Sequence, residues 1–219
     1  MMTIQEAVSE ILRTRPYLEE SIADGLINLS SLSRQLAGEV AERTGKKANR
    51  GAIVMAIQRH QPGRLTTVRM NSQNLLNNVS NIIVRSDISV FTYSNSPSLP
   101  ARLAQLSVIL SRRKGLFHTF SQGVFETTII LHAEGGGALE EVLKNESEIA
   151  RTGNLACITL YLPDENTQIA GYYYYILKMI AWEGINITEI LSTTNEFSLI
   201  LSEGDVDRAF STLQRARRR

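Results

Sequence analysis

Between Glu42 and Asp87 the chain has no aspartate or glutamate, and that stretch holds Arg43, Lys46, Lys47, Arg50, Arg59, Arg64, Arg69 and Arg85. The C-terminal residues add Arg215, Arg217, Arg218 and Arg219. The formal net charge is only +1, so the positive field is local. Phosphate backbones are the common partner of such a block, and a solvated basic face is the plain alternative. Other chemistry is scarce. His60, His118 and His132 stand alone, with no pair at metal-ligand spacing. Gly135-Gly136-Gly137 precede a helical pattern, but no Lys-Ser or Lys-Thr follows, so they read as a tight turn and not as a phosphate loop. A Ser-His-Asp arrangement would need distant residues to meet, and no spacing indicates it. The single Cys157 excludes an intramolecular disulfide and falls mid-strand, where a small buried residue is expected. These residues predict no catalytic site, no metal and no cofactor, and a protein that is not an enzyme.

The basic residues need a scaffold. Thr3 and Glu6 form a Thr-x-x-Glu capping box ahead of Ala7, Val8, Ile11 and Leu12, which predicts a helix over 4–13. Pro16 opens a second short helix, over 17–23. Ser30 or Ser31 caps a third over 31–44, with Leu32, Leu36, Val40 and Ala41 at helical period and Gly45 at its end. Asn49 caps a fourth over 49–60, with Ile53, Val54 and Ile57 apolar. Pro62-Gly63 turn into a strand over 65–70. Helix, Gly-containing break, helix and strand together read as a winged helix-turn-helix-like head. The 31–44 helix would support and the 49–60 helix would enter a groove of duplex DNA. Asn49 and Arg50 would meet base edges, and Lys46, Lys47, Arg59 and Arg64 the flanking phosphates. Docking on a protein and a purely structural helical cap are the competing readings.

Downstream, residues 155–213 repeat, with changes, the pattern of 87–143. The second copy reads as a strand over 155–162, a helix over 168–182, a strand entered through Gly184-Ile185-Asn186-Ile187, a strand over 196–201 and a helix over 204–216. The first copy follows with a strand over 88–93, a helix over 100–114, strands over 116–122 and 125–133, and a helix over 138–147. Strand–helix–strand–strand–helix in about sixty residues is the order of a ferredoxin-like half-sheet with helices on one face. The Asn- and Gln-rich stretch 71–80 marks a boundary. The fold class expected is α+β: tandem βαββα repeats behind a mostly helical N-terminal domain. The domains expected are 1–72, 82–150 and 153–219, consistent with a 219-residue chain.

The second copy resembles the ACT domain, in particular the tandem ACT domains of the aspartokinase regulatory region. Trp182-Glu183-Gly184-Ile185-Asn186-Ile187-Thr188-Glu189-Ile190, Glu196 through Glu203, and Asp205-Val206-Asp207-Arg208-Ala209-Phe210 carry the likeness. In the first copy Pro97, Ala101-Arg102 and Arg113-Lys114-Gly115-Leu116 keep part of it. The resemblance spans about 86–215, and no aspartate-kinase catalytic domain is present. It implies a sensor of small molecules, usually amino acids, which bind at the loop from strand one into helix one and at the start of strand two.

In this chain those positions are Ser94, Asn95, Ser96, Pro97, Ser98 and Leu99 in the first copy, and Asn166, Thr167 and Gln168 with Asn186 in the second. A helix N-terminus suits a carboxylate, because its first N–H groups lack intrahelical partners. The family's Pro-Gly pair is Pro97-Ser98 in the first loop and is missing from the second, where Asp164 and Glu165 would repel a carboxylate. The first loop is therefore the stronger candidate. Tyr172-Tyr173-Tyr174-Tyr175 cover about 300° of a helix surface, so some rings must face away from the sheet, toward helix packing or a homo-oligomer interface. Open ferredoxin-like sheet edges pair readily, and a dimer is expected. No window approaches the roughly 20 apolar residues of a membrane span, and the N-terminus is not a signal peptide, so a cytoplasmic location is expected.

Overall fold

The computed structural model describes residues 2–60 and 72–217, in two compact units. The strand read at 65–70, with Arg64 and Arg69, lies outside the described residues. One unit comprises Met1–Ser72 with Ile169–Tyr172, and the other the remainder.

In the first unit the caps decide where helices begin. Helix α1 (Ile4–Arg13) starts at the reciprocal box: Thr3 Oγ1 accepts the Glu6 N–H at 3.2 Å, and the Thr3 N–H donates to Glu6 Oε2 at 2.8 Å. Helix α2 is Pro16–Ala23, with Pro16 at its first position. Helix α3 runs Leu29–Thr44, two residues earlier than a serine cap gives, because Asn28 Oδ1 accepts the Ser31 N–H at 3.0 Å. Helix α4 (Arg50–Arg59) is capped as expected by Asn49, whose Oδ1 accepts the Gly51 N–H at 2.9 Å. Helices α1, α3 and α4 share one core of Ala7, Val8, Ile11, Leu12, Leu32, Leu36, Val40, Ile53, Ala56 and Ile57, against which Leu18 and Ile22 of α2 pack. That is a helical unit with its own buried centre.

The second unit is one six-stranded antiparallel sheet in the order β2-β3-β1-β4-β6-β5. Its elements follow the expected sequence twice: β1 (Asn81–Ser94), α5 (Leu99–Ser111), β2 (His118–Gln122), β3 (Glu126–His132) and α6 (Gly136–Leu143). Then come β4 (Glu148–Tyr161), α7 (Tyr172–Trp182), β5 (Ile187–Ser192), β6 (Glu196–Ser202) and α8 (Val206–Arg217). The turn that follows each first helix carries a left-handed glycine, Gly115 at φ 83° and Gly184 at φ 69°, where a side chain would be strained.

The strands at the centre are much longer than the alternation predicts. β1 and β4 pair from Asn81↔Tyr161 to Tyr93↔Glu148. β3 joins β1 only over 88–94, and β6 joins β4 only over 155–161. A cut at 150–153 therefore falls inside β4. The crossing points are Asp87 and Asn154, both at φ 54°, residue types that tolerate the left-handed region. Between them Ile88 pairs with Leu155, beside a register shift at 85–88.

Helices α5 and α6 cover the sheet face bearing Phe91, Tyr93, Ile129 and Leu131. The opposite face is buried too. Ile88, Val90 and Ile130 from one half of the sheet cluster with Leu155, Cys157 and Ile200 from the other, flanked by Phe117 and Leu191. The sheet curls so that this face closes on itself. Cys157 is fully buried, as expected mid-strand, and burial raises its thiol pKa.

Gly135-Gly136-Gly137 are not a loop. A single 3₁₀ turn, Ala133–Gly135, runs straight into α6 at Gly136, so this helix begins and ends earlier than the 138–147 reading. Gly135 sits in tight packing. A Cβ there would lie 3.1 Å from Leu110 Cδ2 and 3.1 Å from Leu131 Cδ1.

Candidate ligand-binding site

The first loop is a closed polar cluster. Leaving β1, the Ser94 N–H donates to the Ser147 carbonyl at 2.9 Å and the Asn95 N–H to the Phe125 carbonyl at 2.9 Å. Asn95 is pinned by its side chain as well: Nδ2 donates to the Gly123 carbonyl at 2.9 Å, and Oδ1 accepts the Thr127 hydroxyl at 2.7 Å. Ser96 and Ser98 then turn their hydroxyls onto one carboxylate. Ser96 Oγ donates to Glu146 Oε2 at 2.5 Å and Ser98 Oγ to Glu146 Oε1 at 2.7 Å. The Leu99 N–H, at the start of α5, donates to Ser96 Oγ at 3.1 Å. The serine hydrogen bonds, with help from the Arg102 charge, hold the Glu146 carboxyl below the usual range. Of the predicted residues, Ser94 to Leu99 are thus brought together. Pro97 is exposed at the tip and Leu99 is buried beneath. Glu146 was not foreseen.

The second loop is sealed differently. Asp164–Gln168 form a 3₁₀ turn. Asn166 is buried, and its Nδ2 donates to the Pro163 carbonyl at 2.9 Å and the Thr194 carbonyl at 2.8 Å. Both of its amide hydrogens are used on the main chain, so it acts as a latch and not as a ligand donor. Asn195 Nδ2 adds a bond to Asp164 Oδ1 at 2.6 Å. Thr167, Gln168 and Asn186 are exposed.

On α7, Tyr172, Ile176 and Ile180 are buried. The Tyr173 ring sits 4.7 Å from Phe197, and its hydroxyl meets Ser192 Oγ at 2.8 Å. Tyr174, Lys178 and Trp182 form an outward row, with the ammonium 5.9 Å and 5.3 Å from the two ring centres and Trp182 82% exposed. The rings do divide between inside and outside.

The basic block is thinner than its sequence. Arg43 is committed to Glu10 at 2.9 Å and Glu39 at 3.0 Å. Arg85 lies over the Phe117 ring at 5.1 Å and donates to Thr159 Oγ1 at 3.2 Å. Lys46, Lys47, Asn49, Arg50 and Arg59 are exposed, and the lysines line a cavity of ≈ 350 Å³ with Met2, Thr3 and Ile4. The exposed positions of α4 also include Gly51, Ala52 and Met55.

The histidines are not isolated in space. His118 Nδ1 lies 3.2 Å from the Leu116 carbonyl, and His132 Nδ1 accepts the Glu134 N–H at 3.3 Å. His60 meets Glu19 at 2.6 Å through Nε2 and Ser9 at 3.3 Å through Nδ1, with the His60 and Glu19 side chains 8% and 7% exposed. The sequence spacing gave no sign of this Ser-His-Glu array. Ser9 lies mid-helix in α1, where main-chain N–H groups are spent within the helix and cannot face a developing oxyanion. The array ties α1 and α2 to the end of α4.

Glu189 on β5 has its pKa raised by burial and, secondarily, by the charge of Glu126 on β3. These strands are not neighbours in the sheet, so the repulsion acts across the curl. A raised carboxyl pKa means stability is fully present below the ordinary value of 4.5 and is lost as pH rises through the folded value. Glu189→Gln is expected to raise the melting temperature by about 1 °C at pH 7 and to leave it unchanged well below pH 4.5. A scan showing the reverse order would contradict this environment.

No family model matches the sequence, and no curated protein does. Solved structures match in fold. The aspartate kinase of Clostridium acetobutylicum superposes at TM-score 0.53 and 16% identity, over 63% of this chain and 34% of that one. The ligand-free regulatory subunit of aspartate kinase from Thermus thermophilus gives 0.51 and 16%, over 63% and 97%. E. coli aspartokinase III in complex with aspartate and ADP gives 0.50 and 16%, over 63% and 33%. The chain thus spans about a third of the two kinases and nearly all of the regulatory subunit. At this identity the likeness is one of fold: the sheet unit is ACT-like, of the kind found in aspartate kinase regulatory regions. No described helix is long and apolar enough to cross a membrane.

Proposed function

We propose that this chain is a non-catalytic regulator, working in the cytoplasm as a homodimer, whose tandem ACT repeats sense a small amino-acid-like carboxylate. The observation that carries this is the Ser96–Ser98 pair, whose two hydroxyls grip both oxygens of one carboxylate at the mouth of α5. The fold likeness supports it, because the regulatory subunit of an aspartate kinase shares the architecture over nearly its whole length. Effector binding would bias the arrangement of the chain through a coupling of about 1–3 kcal/mol. The N-terminal helical head would carry the output to duplex DNA through Lys46, Lys47, Asn49, Arg50 and Arg59.

The second reading is a regulatory subunit whose head docks on a partner enzyme. Its support is the surface of α4, where Gly51, Ala52 and Met55 give a smooth, partly apolar exposed face beside the arginines. A thermal-shift screen with the twenty amino acids at millimolar concentration tests the sensor. No change in melting temperature or in amide chemical shifts near Leu99 would end that reading. Binding of duplex DNA at two salt concentrations separates the heads. With phosphate contacts, Lys46→Ala with Lys47→Ala should flatten the salt slope by about 0.9 per lost contact. Unchanged binding at both concentrations would hand the head to protein docking. Light scattering at micromolar concentration should give a dimer mass.

A further inference from the structure

We infer that the chain pairs with a second copy of itself through α7 and α8, Trp182 of each copy entering a cavity on α8 of the other. This rests on the homodimer reading above and names its interface. Trp182, the chain's single tryptophan, stands 82% exposed at the end of α7, and Tyr174 continues the row at 50%. The Lys178 ammonium, 5.3 Å from the Trp182 ring centre, steadies the indole in its outward position. The cavity that answers it is on α8. Phe210, Ser211, Gln214 and Arg215 line a space of ≈ 480 Å³, large enough for a ring system of that size. Trp182 is not among the lining residues, so it does not fill the cavity of its own copy. The lining matches an indole group by group. Phe210 offers an aromatic ring and Arg215 a cation for the indole face. Ser211 Oγ or the Gln214 side-chain carbonyl can accept the indole N–H, which only donates. Arg215 is held by Glu183 at 3.0 Å and Thr212 at 2.8 Å, yet its side chain stays 62% exposed, which leaves the guanidinium face open to a ring.

Knob and hole are fixed beside one another. Glu183, the residue after Trp182, accepts Arg208 at its carbonyl at 3.2 Å and Arg215 at its carboxylate at 3.0 Å. A projecting ring and a matching cavity on one surface are what a two-fold contact needs, since residue i then meets j and j meets i. A different protein would have to bring its own ring and its own cavity at the same spacing, whereas a second copy brings both by symmetry. Tryptophan and arginine are also the residues favoured at the centre of such contacts. The first half of the sheet is the internal contrast. There α5 and α6 pack on each other and carry no aromatic residue, while among the described residues α7 and α8 do not pack to the same extent. The repeat itself therefore does not call for an exposed ring, and the one on α7 is left to an outside contact.

The full chain is followed by sedimentation velocity and by the emission of Trp182 from about 0.1 to 100 μM, a span that covers weak and strong dimers. As the mass rises from monomer to dimer, the emission should shift to the blue and become shielded from acrylamide over the same concentrations. Trp182→Ala and Ser211→Lys each remove both insertions, and each should weaken the dimer at least about a hundredfold. Both positions are exposed, and an unchanged far-UV circular dichroism spectrum shows that the fold is kept. Mixing the two variants restores one insertion per pair. An excess of Trp182→Ala should therefore shift the emission of the Ser211→Lys tryptophan to the blue, which Ser211→Lys alone does not show. A mass that doubles while the emission stays put, or variants that dimerise like wild type, overturns this interface and leaves the homodimer standing. No shift on mixing overturns the insertion between copies. A monomer at every concentration ends the homodimer reading and this interface together.

Discussion

His60→Ala should destabilise the N-terminal helical unit by about 3 kcal/mol. The loss comes from the partner left behind. Glu19 is buried, and its carboxylate meets His60 Nε2 at 2.6 Å. Removing the ring strands that carboxylate among apolar helices and opens a space that α1, α2 and α4 cannot fill without moving. For a unit of this size the shift amounts to about 10 °C or more in its melting temperature. His60→Gln keeps a polar partner for Glu19 and should cost less than half as much. Far-UV circular dichroism of the full chain reads both. A loss under about 1 kcal/mol for the alanine variant would show that the array is dispensable.

A comparable loss, about 3 kcal/mol, is expected for Ile200→Ala. Ile200 is fully buried on the sheet face opposite α5 and α6, in a cluster drawing Ile88, Val90 and Ile130 from one half and Leu155 and Cys157 from the other. A cavity there loosens the curl and not just β6. Amide exchange should therefore quicken in β1 and β3 as well as in β5 and β6. Faster exchange confined to β5 and β6, or a loss below 1 kcal/mol, would mean that the halves do not share this core.

What the sequence discloses follows the range of the interaction that fixes each feature. The Thr3–Glu6 box and the Asn49 cap are settled within three residues, and both stand where the pattern places them. So does the left-handed Gly45 that ends α3. The order strand–helix–strand–strand–helix is legible for the same reason, since apolar period is a local signal. The outer halves of β1 and β4 are not. Residues 148–154 are all exposed along one open edge, so their sequence shows no alternation to read, and the polar pairs Ser86-Asp87 and Gly153-Asn154 look like turns. The site divides in the same way. Ser94 to Leu99 are visible as a strand-to-helix loop, whereas Glu146 reaches them from about fifty residues away and carries no motif. The Ser9–His60–Glu19 array is hidden likewise, with partners 41 and 51 residues apart. The basic block was legible as charge, but not that Arg43 is spent on Glu10 and Glu39.

The crossing of β1 and β4 fixes an order of events on the ribosome. Asn81 to Arg85 find their partners in Cys157 to Tyr161, and those residues pair with nothing else in β1. A nascent chain that has emerged as far as residue 150 can complete the ladder between β1 and β3, and can seat α5 and α6 over it. It still presents Ile82-Ile83-Val84 as a bare, apolar edge, with no strand yet made to cover it. Some eighty residues separate the two ends of that pairing, so the edge stays open for seconds at ordinary rates of synthesis. The interval before Tyr161 leaves the tunnel is when this protein is most exposed to mispairing with another copy, and when a chaperone that grips extended apolar segments would matter most.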